Sequence, residues 1–403
     1  MKAYIFFYLL FTFVIVCNSC TENSNRITFT IPASDRKIIV PVQLSDSVIV
    51  NLAFDSGWRD DVISIDSAFV ASHPSLIPNI PSDTSQVGSS WADNRVLDLI
   101  YKTPQAVNIG NTKLVYNSLQ IFDFHGAWYT DVADGGFNIP QDDTIHVWEW
   151  NFEHNYLEIH SAENFTMPEN CFLFPMTEKG HEPNIQIPLQ ITCMNGDTLT
   201  LNRTFFIDMG MADDIALVRP TKEEAEFFNQ RDDAVWTISS GGYKRRYTVN
   251  ATLFDDFEMD SIRIYTFKNA YFVGSEYLIG INFLKRFNVF IDRKQWQIGL
   301  QPINNFQRIV NPGFRRFHFS APPTPDGKYI VTEVANYEAN YYKTAGLREG
   351  DEIVAVDDKP YKDVTWEEKQ EFYLKDTLIY NIIRNGEPLK IIVPVDKNEE
   401  QGD

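Results

Sequence analysis

From Ile27 onward the chain is written in short apolar runs broken by turn residues. Ile38-Ile39-Val40-Pro41-Val42, Val48-Ile49-Val50-Asn51-Leu52 and the stretch from Val115 to Phe122 each have the length of a strand. The pattern predicts a mainly β protein. Two segments carry a helical period instead: Lys222 to Phe228, with Thr221 placed to cap its start, and Trp366 to Tyr373 after Thr365. Ahead of the strands, Lys2 precedes an almost wholly apolar run from Ala3 to Val16, short for a bilayer span, and no later run is longer.

That opening resembles a bacterial lipoprotein signal. A charged start and an apolar stretch lead to Cys17-Asn18-Ser19-Cys20, which predicts cleavage before Cys20 and a lipid on its thiol. An uncleaved anchor is the other reading, and in both the folded part is exported. Thr21 to Asn25 then reads as a polar tether. Cys171 and Cys193 are the remaining cysteines, and in an oxidising compartment they either pair or stay as buried thiols.

The strand ending in Phe54-Asp55-Ser56-Gly57 returns, altered, as Ile207-Asp208-Met209-Gly210. Asp60-Asp61-Val62 follows the first copy, and Asp213-Asp214-Ile215 follows the second at the same offset. Downstream, Gly136-Phe137-Asn138 is matched in spelling by Gly280-Ile281-Asn282. Aromatic-rich strand pairs come next, Val147 to Ile159 and Phe287 to Leu300. Residues 27–165 and 166–303 therefore read as two copies of one lobe. Two Asp-Ser/Thr-Gly-like turns resemble the aspartic peptidases, in their retropepsin-like form. Leu278-Ile279-Gly280 is similar to the apolar-apolar-Gly triplet that supports the catalytic loop in that family. By spelling, the same place in the first copy is Ala133-Asp134-Gly135-Gly136, which lacks the apolar pair.

The resemblance implies two pepsin/retropepsin-like β-barrel lobes whose carboxylates, Asp55 and Asp208, share one proton. One draws a proton from water and the other hydrogen-bonds the peptide carbonyl. Gly57 and Gly210 would permit the tight turns. Ser56 would cross to the opposite loop and lock the pair, whereas Met209 offers no donor for the return bond. Arg59, if it faced the pair, would favour ionisation of both aspartates. Flap tips are expected at Gly88 with Trp91, and at Gly241 with Tyr243; ordinary exposed loops are the alternative. Peptide hydrolysis, peptide binding without catalysis and a chance pair of turns all stay open, and no cofactor is implied.

After Pro302 the character changes. Ala345-Gly346-Leu347-Arg348-Glu349-Gly350-Asp351-Glu352-Ile353 resembles the core of PDZ domains, placing a PDZ-like domain at 317–397. The resemblance implies peptide addition along Tyr329, Ile330 and Val331, with a C-terminal carboxylate received near Gly327. Pro322, Pro323 and Pro325 supply no N–H there.

Composition narrows the rest. A net charge of −20 on 403 residues argues against nucleic acid as a partner, while 44% hydrophobic and 14% aromatic residues support packed cores. His154, Tyr156, Glu158 and His160 alternate onto one strand face, readable as a zinc site or as a solvated face. No metal is implied elsewhere: none of the seven histidines lies in His-Glu-x-x-His.

Overall fold

The computed structural model describes residues 25–32, 36–88, 95–124, 132–177, 183–231, 234–239, 242–254, 257–267, 277–308, 318–321, 323–324, 326–334, 340–364, 368, 372 and 375–395. The leader with Cys17 and Cys20, and most of the Trp366–Tyr373 helix, lie outside them. The protein is mainly β, and among the described residues no helix is long and apolar enough to cross a membrane.

The chain divides into two compact units. One gathers Met1–Ile187, Asn202–Asp214 and Leu278–Ile309. The other gathers Pro188–Leu201, Ile215–Tyr277 and Val310–Asp403. The first unit thus takes in the first lobe and the Asp208 segment of the second.

In the first unit nine strands form one sheet: β1 (Ile38–Ser45), β2 (Val48–Phe54), β3 (Val62–Asp66), β4 (Asp83–Gly88), β5 (Arg95–Tyr101), β6 (Gln105–Ile109), β7 (Thr112–Tyr116), β8 (Ser118–Phe122) and β9 (Gly135–Phe137). Their order is β4-β5-β8-β3-β9-β2-β1-β6-β7. β2 is central and alternates apolar-in with polar-out until Leu52-Ala53-Phe54, where every side chain is buried. Burial on both faces fixes its register, because a slip by one residue would turn the apolar set outward. Asp55 is thereby delivered to one place.

A second sheet in this unit joins the aromatic hairpins of the two lobes. These are β10 (His146–Asn151) with β11 (Tyr156–Ser161), and β16 (Phe287–Asp292) with β17 (Gln297–Pro302), flanked by β12 (Phe172–Thr177). Trp148 faces Ile291 and Trp150 faces Val289 across the join. Both tryptophans are fully buried, and the Phe54 and Trp150 ring centroids lie 4.2 Å apart. The strand that carries Asp55 therefore packs on the sheet shared by the two lobes. In chain order, β13 (Asn184–Thr192), β14 (Thr198–Asp208) and β15 (Tyr277–Gly280) come between β12 and β16.

In the other unit Phe257–Phe267 pairs with Ile215–Leu217 and with Gly242–Leu253, which pairs in turn with Val235–Ser239. Helix Lys222–Asn229 has a capping box: Thr221 receives the Glu224 amide, and Glu224 the Thr221 amide. Further on, Tyr329–Ile330, Glu352–Val356, Thr377–Arg384 and Glu387–Pro394 form a sheet over a core that includes Val331, Ile353, Tyr380 and Val393. The hairpin turns through Asn385 and Gly386, both at positive φ, the pair of conformations that matches strand twist. Helix Tyr341–Thr344 is capped by Asn340.

No disulfide joins Cys171 and Cys193; both carry thiols. Cys171 packs on Gly299, where an added β-carbon would stand 2.7 Å from its sulfur, and burial pushes that thiol up to about 12. Cys193 is buried at a turn, its amide donating to Asp197.

Candidate active site

Two strand ends meet within the first unit. β2 pairs in parallel with β9, and the Asp55 amide donates to the Phe137 carbonyl at 3.0 Å. β14 pairs in parallel with β15, Asp208 standing opposite Gly280. Each aspartate then closes the same small turn. Gly57 N donates to Asp55 Oδ1 at 2.8 Å and Gly210 N to Asp208 Oδ1 at 2.9 Å. Trp58 N reaches the Asp55 carbonyl, and Met211 N the Asp208 carbonyl, at 2.9 and 3.1 Å. The repeated spelling has become repeated backbone chemistry.

The loops lie against each other. A β-carbon on Gly210 would stand 2.1 Å from Asp55 Oδ2, so glycine there is a matter of space. Ser56 ties the two: its Oγ donates to the Ile207 carbonyl at 2.6 Å and accepts from Met209 N at 2.8 Å. The Met209 side chain is fully buried and, being a thioether, has no hydroxyl to make the matching bond back to the first loop. The cross-tie is one-sided.

The support beneath the loops differs from the spelled repeat. Ala53 faces Gly136 and Phe54 faces Phe137, whereas Phe206 faces Leu278 and Ile207 faces Ile279. Counted back from each aspartate, Gly136-Phe137-Asn138 is the counterpart of Leu278-Ile279-Gly280. The Gly-x-Asn match is therefore displaced by two residues, and Asn138 stands where Gly280 stands. Gly280 is crowded by backbone, an added β-carbon lying 2.2 Å from the Asp213 carbonyl. Asn138 uses its side chain instead: Nδ2 donates to the Ser56 and Trp58 carbonyls at 3.0 and 2.8 Å.

Arg59 turns away from the pair. Its Nε and a terminal nitrogen both donate to the Asp61 carboxylate, at 3.1 and 2.9 Å, with the side chain half exposed. Among the described residues, Lys37 is a cation at the pair, and its Nζ donates to the Gly210 carbonyl at 3.3 Å. Asp208 is half-buried at the end of its strand, and its carboxyl is pushed up to about 7. Burial is the main cause and the Asp55 charge the next, against the pull of Lys37 and the amides of Gly210 and Met211. Such a carboxyl can hold a proton near neutrality and hydrogen-bond a substrate oxygen.

Two groups of residues in this site carry no sequence motif. One is Lys37, placed opposite Asp55 by the β1–β2 register, in which Ile38 faces Phe54. The other is a buried chain. The Trp58 indole donates to Ser64 Oγ at 3.0 Å, Ser64 to Gln120 at 2.7 Å, and Gln120 to Asp98 at 3.0 Å. Asp98 lies on β5, whose hairpin with β4 carries the first flap position.

Of the expected flap residues, Gly88 ends β4 opposite Arg95, while Trp91 lies outside the described residues. Gly241 also lies outside them, and Tyr243 sits on its strand opposite Ile238. Tyr329 and Ile330 pair with Ile353 and Glu352. Val331 is buried in the core there and exchanges backbone bonds with Asp351 and Gly350. The turn at Gly327 is satisfied from within: its amide donates to the Thr324 carbonyl, and the Lys328 amide to Thr324 Oγ1. Those two amides are thus already engaged where a carboxylate was expected.

Glu149, Glu158 and His160 present ligand atoms within 4.8 Å of one another. His154 is not on that strand; it lies in the preceding turn and stacks near Tyr156. Hydrogen bonds account for the cluster. Glu149 takes His160 on one oxygen and Asn151 with Tyr156 on the other, and Arg26 holds Glu158 at 2.9 Å. Burial works against the Glu149 charge, yet these bonds together hold its carboxyl below the ordinary value.

No family model and no curated protein matches the sequence. Among solved structures, the chain is similar to the aspartic proteinase from Irpex lacteus, at 12% identity and a TM-score of 0.43. The match covers 70% of this chain and 97% of that one.

Proposed function

We propose that this chain is an exported, lipid-anchored aspartic peptidase that hydrolyses peptide bonds in extracytoplasmic proteins or peptides. The observation that carries the reading is the joined pair of aspartate loops, with Ser56 bonded across to Ile207 and Met209 and with Asp208 disposed to hold a proton. Asp55 takes a proton from a water molecule, whose oxygen attacks the peptide carbonyl carbon. Asp208 gives its proton to the carbonyl oxygen as charge develops there, forming a gem-diol. Collapse of the gem-diol breaks the C–N bond; one hydroxyl proton returns to Asp208, and the proton held by Asp55 passes to the departing amine. All of this is done by the chain's own residues.

Anchoring at Cys20 rests on the leader sequence, and peptide recognition by the PDZ-like region rests on the Ala345–Ile353 motif. A C-terminal peptide is the ligand class for that region, and the engaged amides at Gly327 turn attention to the flanks of Tyr329–Ile330.

Met209 favours a second reading, a peptide-binding lipoprotein whose site no longer turns over. Cleavage of a mixed peptide library by residues 21–403 across acid to neutral pH, beside Asp55→Asn and Asp208→Asn, separates the two. Cleavage lost in both variants supports the peptidase. Retention of peptides without cleavage at any pH supports the binding protein.

A further inference from the structure

We propose that Lys37 is a positioning residue of the aspartate pair, a cation that holds the second loop through the Gly210 carbonyl and sets how far the pair keeps its single proton as the pH rises. The inference rests on reading Asp55 and Asp208 as a working pair. It starts from register. Ile38 faces Phe54 in the β1–β2 ladder, so Lys37 begins directly beside Asp55. Its half-buried side chain then runs to the other loop, where Nζ lies 3.3 Å from the Gly210 carbonyl. Gly210 is the residue on which the Asp55 carboxylate rests. The ammonium therefore stands at the junction of the two loops.

Among the described residues, several other charges near the junction have partners of their own. Arg59 is held by Asp61, and Asp60 and Asp98 also lie in its field. Asp60 further pairs with Arg293 at 3.5 Å. Asp214, beyond the second loop, is bonded to Arg308. That leaves Asp55 and Asp208 facing each other with Lys37 as the cation acting on Asp208, against burial and against Asp55. A positive charge stabilises each ionisation of the pair, so both proton losses come at lower pH with Lys37 than without it. The one-proton form then spans a more acidic window.

The test uses two readouts on residues 21–403, in the wild type and in Lys37→Met and Lys37→Arg. One is the NMR titration of ¹³C-labelled aspartate carboxyls, with Asp208 assigned from Asp208→Asn. The other is the pH profile of peptide cleavage. Lys37→Met should move the Asp208 titration up by roughly one pH unit, as expected for loss of an opposite charge at this range. It should also move both limbs of the cleavage profile in the same direction, while Lys37→Arg keeps the wild-type values. An Asp208 titration unchanged in folded Lys37→Met overturns the proposal, as does an equal shift in Lys37→Arg. A shifted titration with no cleavage by any variant upholds the charge relationship and overturns the peptidase reading instead.

Discussion

The carboxylate of Asp55 rests on the α-carbon of Gly210, so closely that a methyl group there would overlap Oδ2 and Cγ. Gly210→Ala must therefore push the two loops apart or turn Asp55 aside. Misplacement of reacting groups by about 1 Å costs roughly 100-fold in rate. The variant should fold and lose cleavage by at least that factor, which parallel thermal melts and peptide cleavage would check.

Ser56 serves two partners at once, the Ile207 carbonyl and the Met209 amide, in a fully buried setting. Ser56→Ala leaves both without it. Unsatisfied buried groups cost about 1–3 kcal/mol each, so a loss of about 3 kcal/mol in chemical denaturation is expected. Cleavage should fall with it. A loss below roughly 0.5 kcal/mol would mean that water replaces the hydroxyl.

Asp208 gives stability a pH dependence of definite sign. Its ordinary value is 3.8 and its folded value about 7. Between those limits the folded protein keeps a proton that the unfolded chain releases, so this group's contribution falls as pH rises through the window and is level above it. Asp208→Asn removes that slope. Denaturation midpoints measured from about pH 4 to pH 7 should therefore decline less in the variant than in the wild type.

In the C-terminal region Arg384 is bonded to both oxygens of Asp351, at 2.7 and 2.8 Å, and to the Gly346 carbonyl. Asp351 is almost fully buried. Removing the arginine strands that charge, and broken buried pairs cost about 3 kcal/mol or more. Arg384→Ala should unfold this region ahead of the rest, seen as hydrogen exchange appearing first across Glu352–Val356 and Thr377–Arg384.

The aspartate loops were legible because their chemistry is local. A strand, a carboxylate and a glycine two residues on are enough to write the turn, and both copies write it. The support beneath the loops was not legible in the same way. Gly136-x-Asn138 and Gly280-x-Asn282 share letters, but strand register makes Asn138 the counterpart of Gly280. An amide side chain that holds two carbonyls and a glycine that lets two carbonyls approach are different solutions at one place. Lys37 left no trace either, since its partner Gly210 is distant in sequence and only the folded register brings them together. Arg59 lies close to Asp55 in sequence, yet its guanidinium is bonded to Asp61.

The one-sided tie at Ser56 also bears on how such a chain can be assembled. In a dimer of identical lobes related by a twofold axis, each contact from one copy to the other is made twice. Such an assembly has two serine ties or none. A single tie, with methionine in the answering place, requires the two lobes to differ. Covalent linkage of the lobes in one chain lets each position change alone, and here it has let one loop become the holder and the other the held.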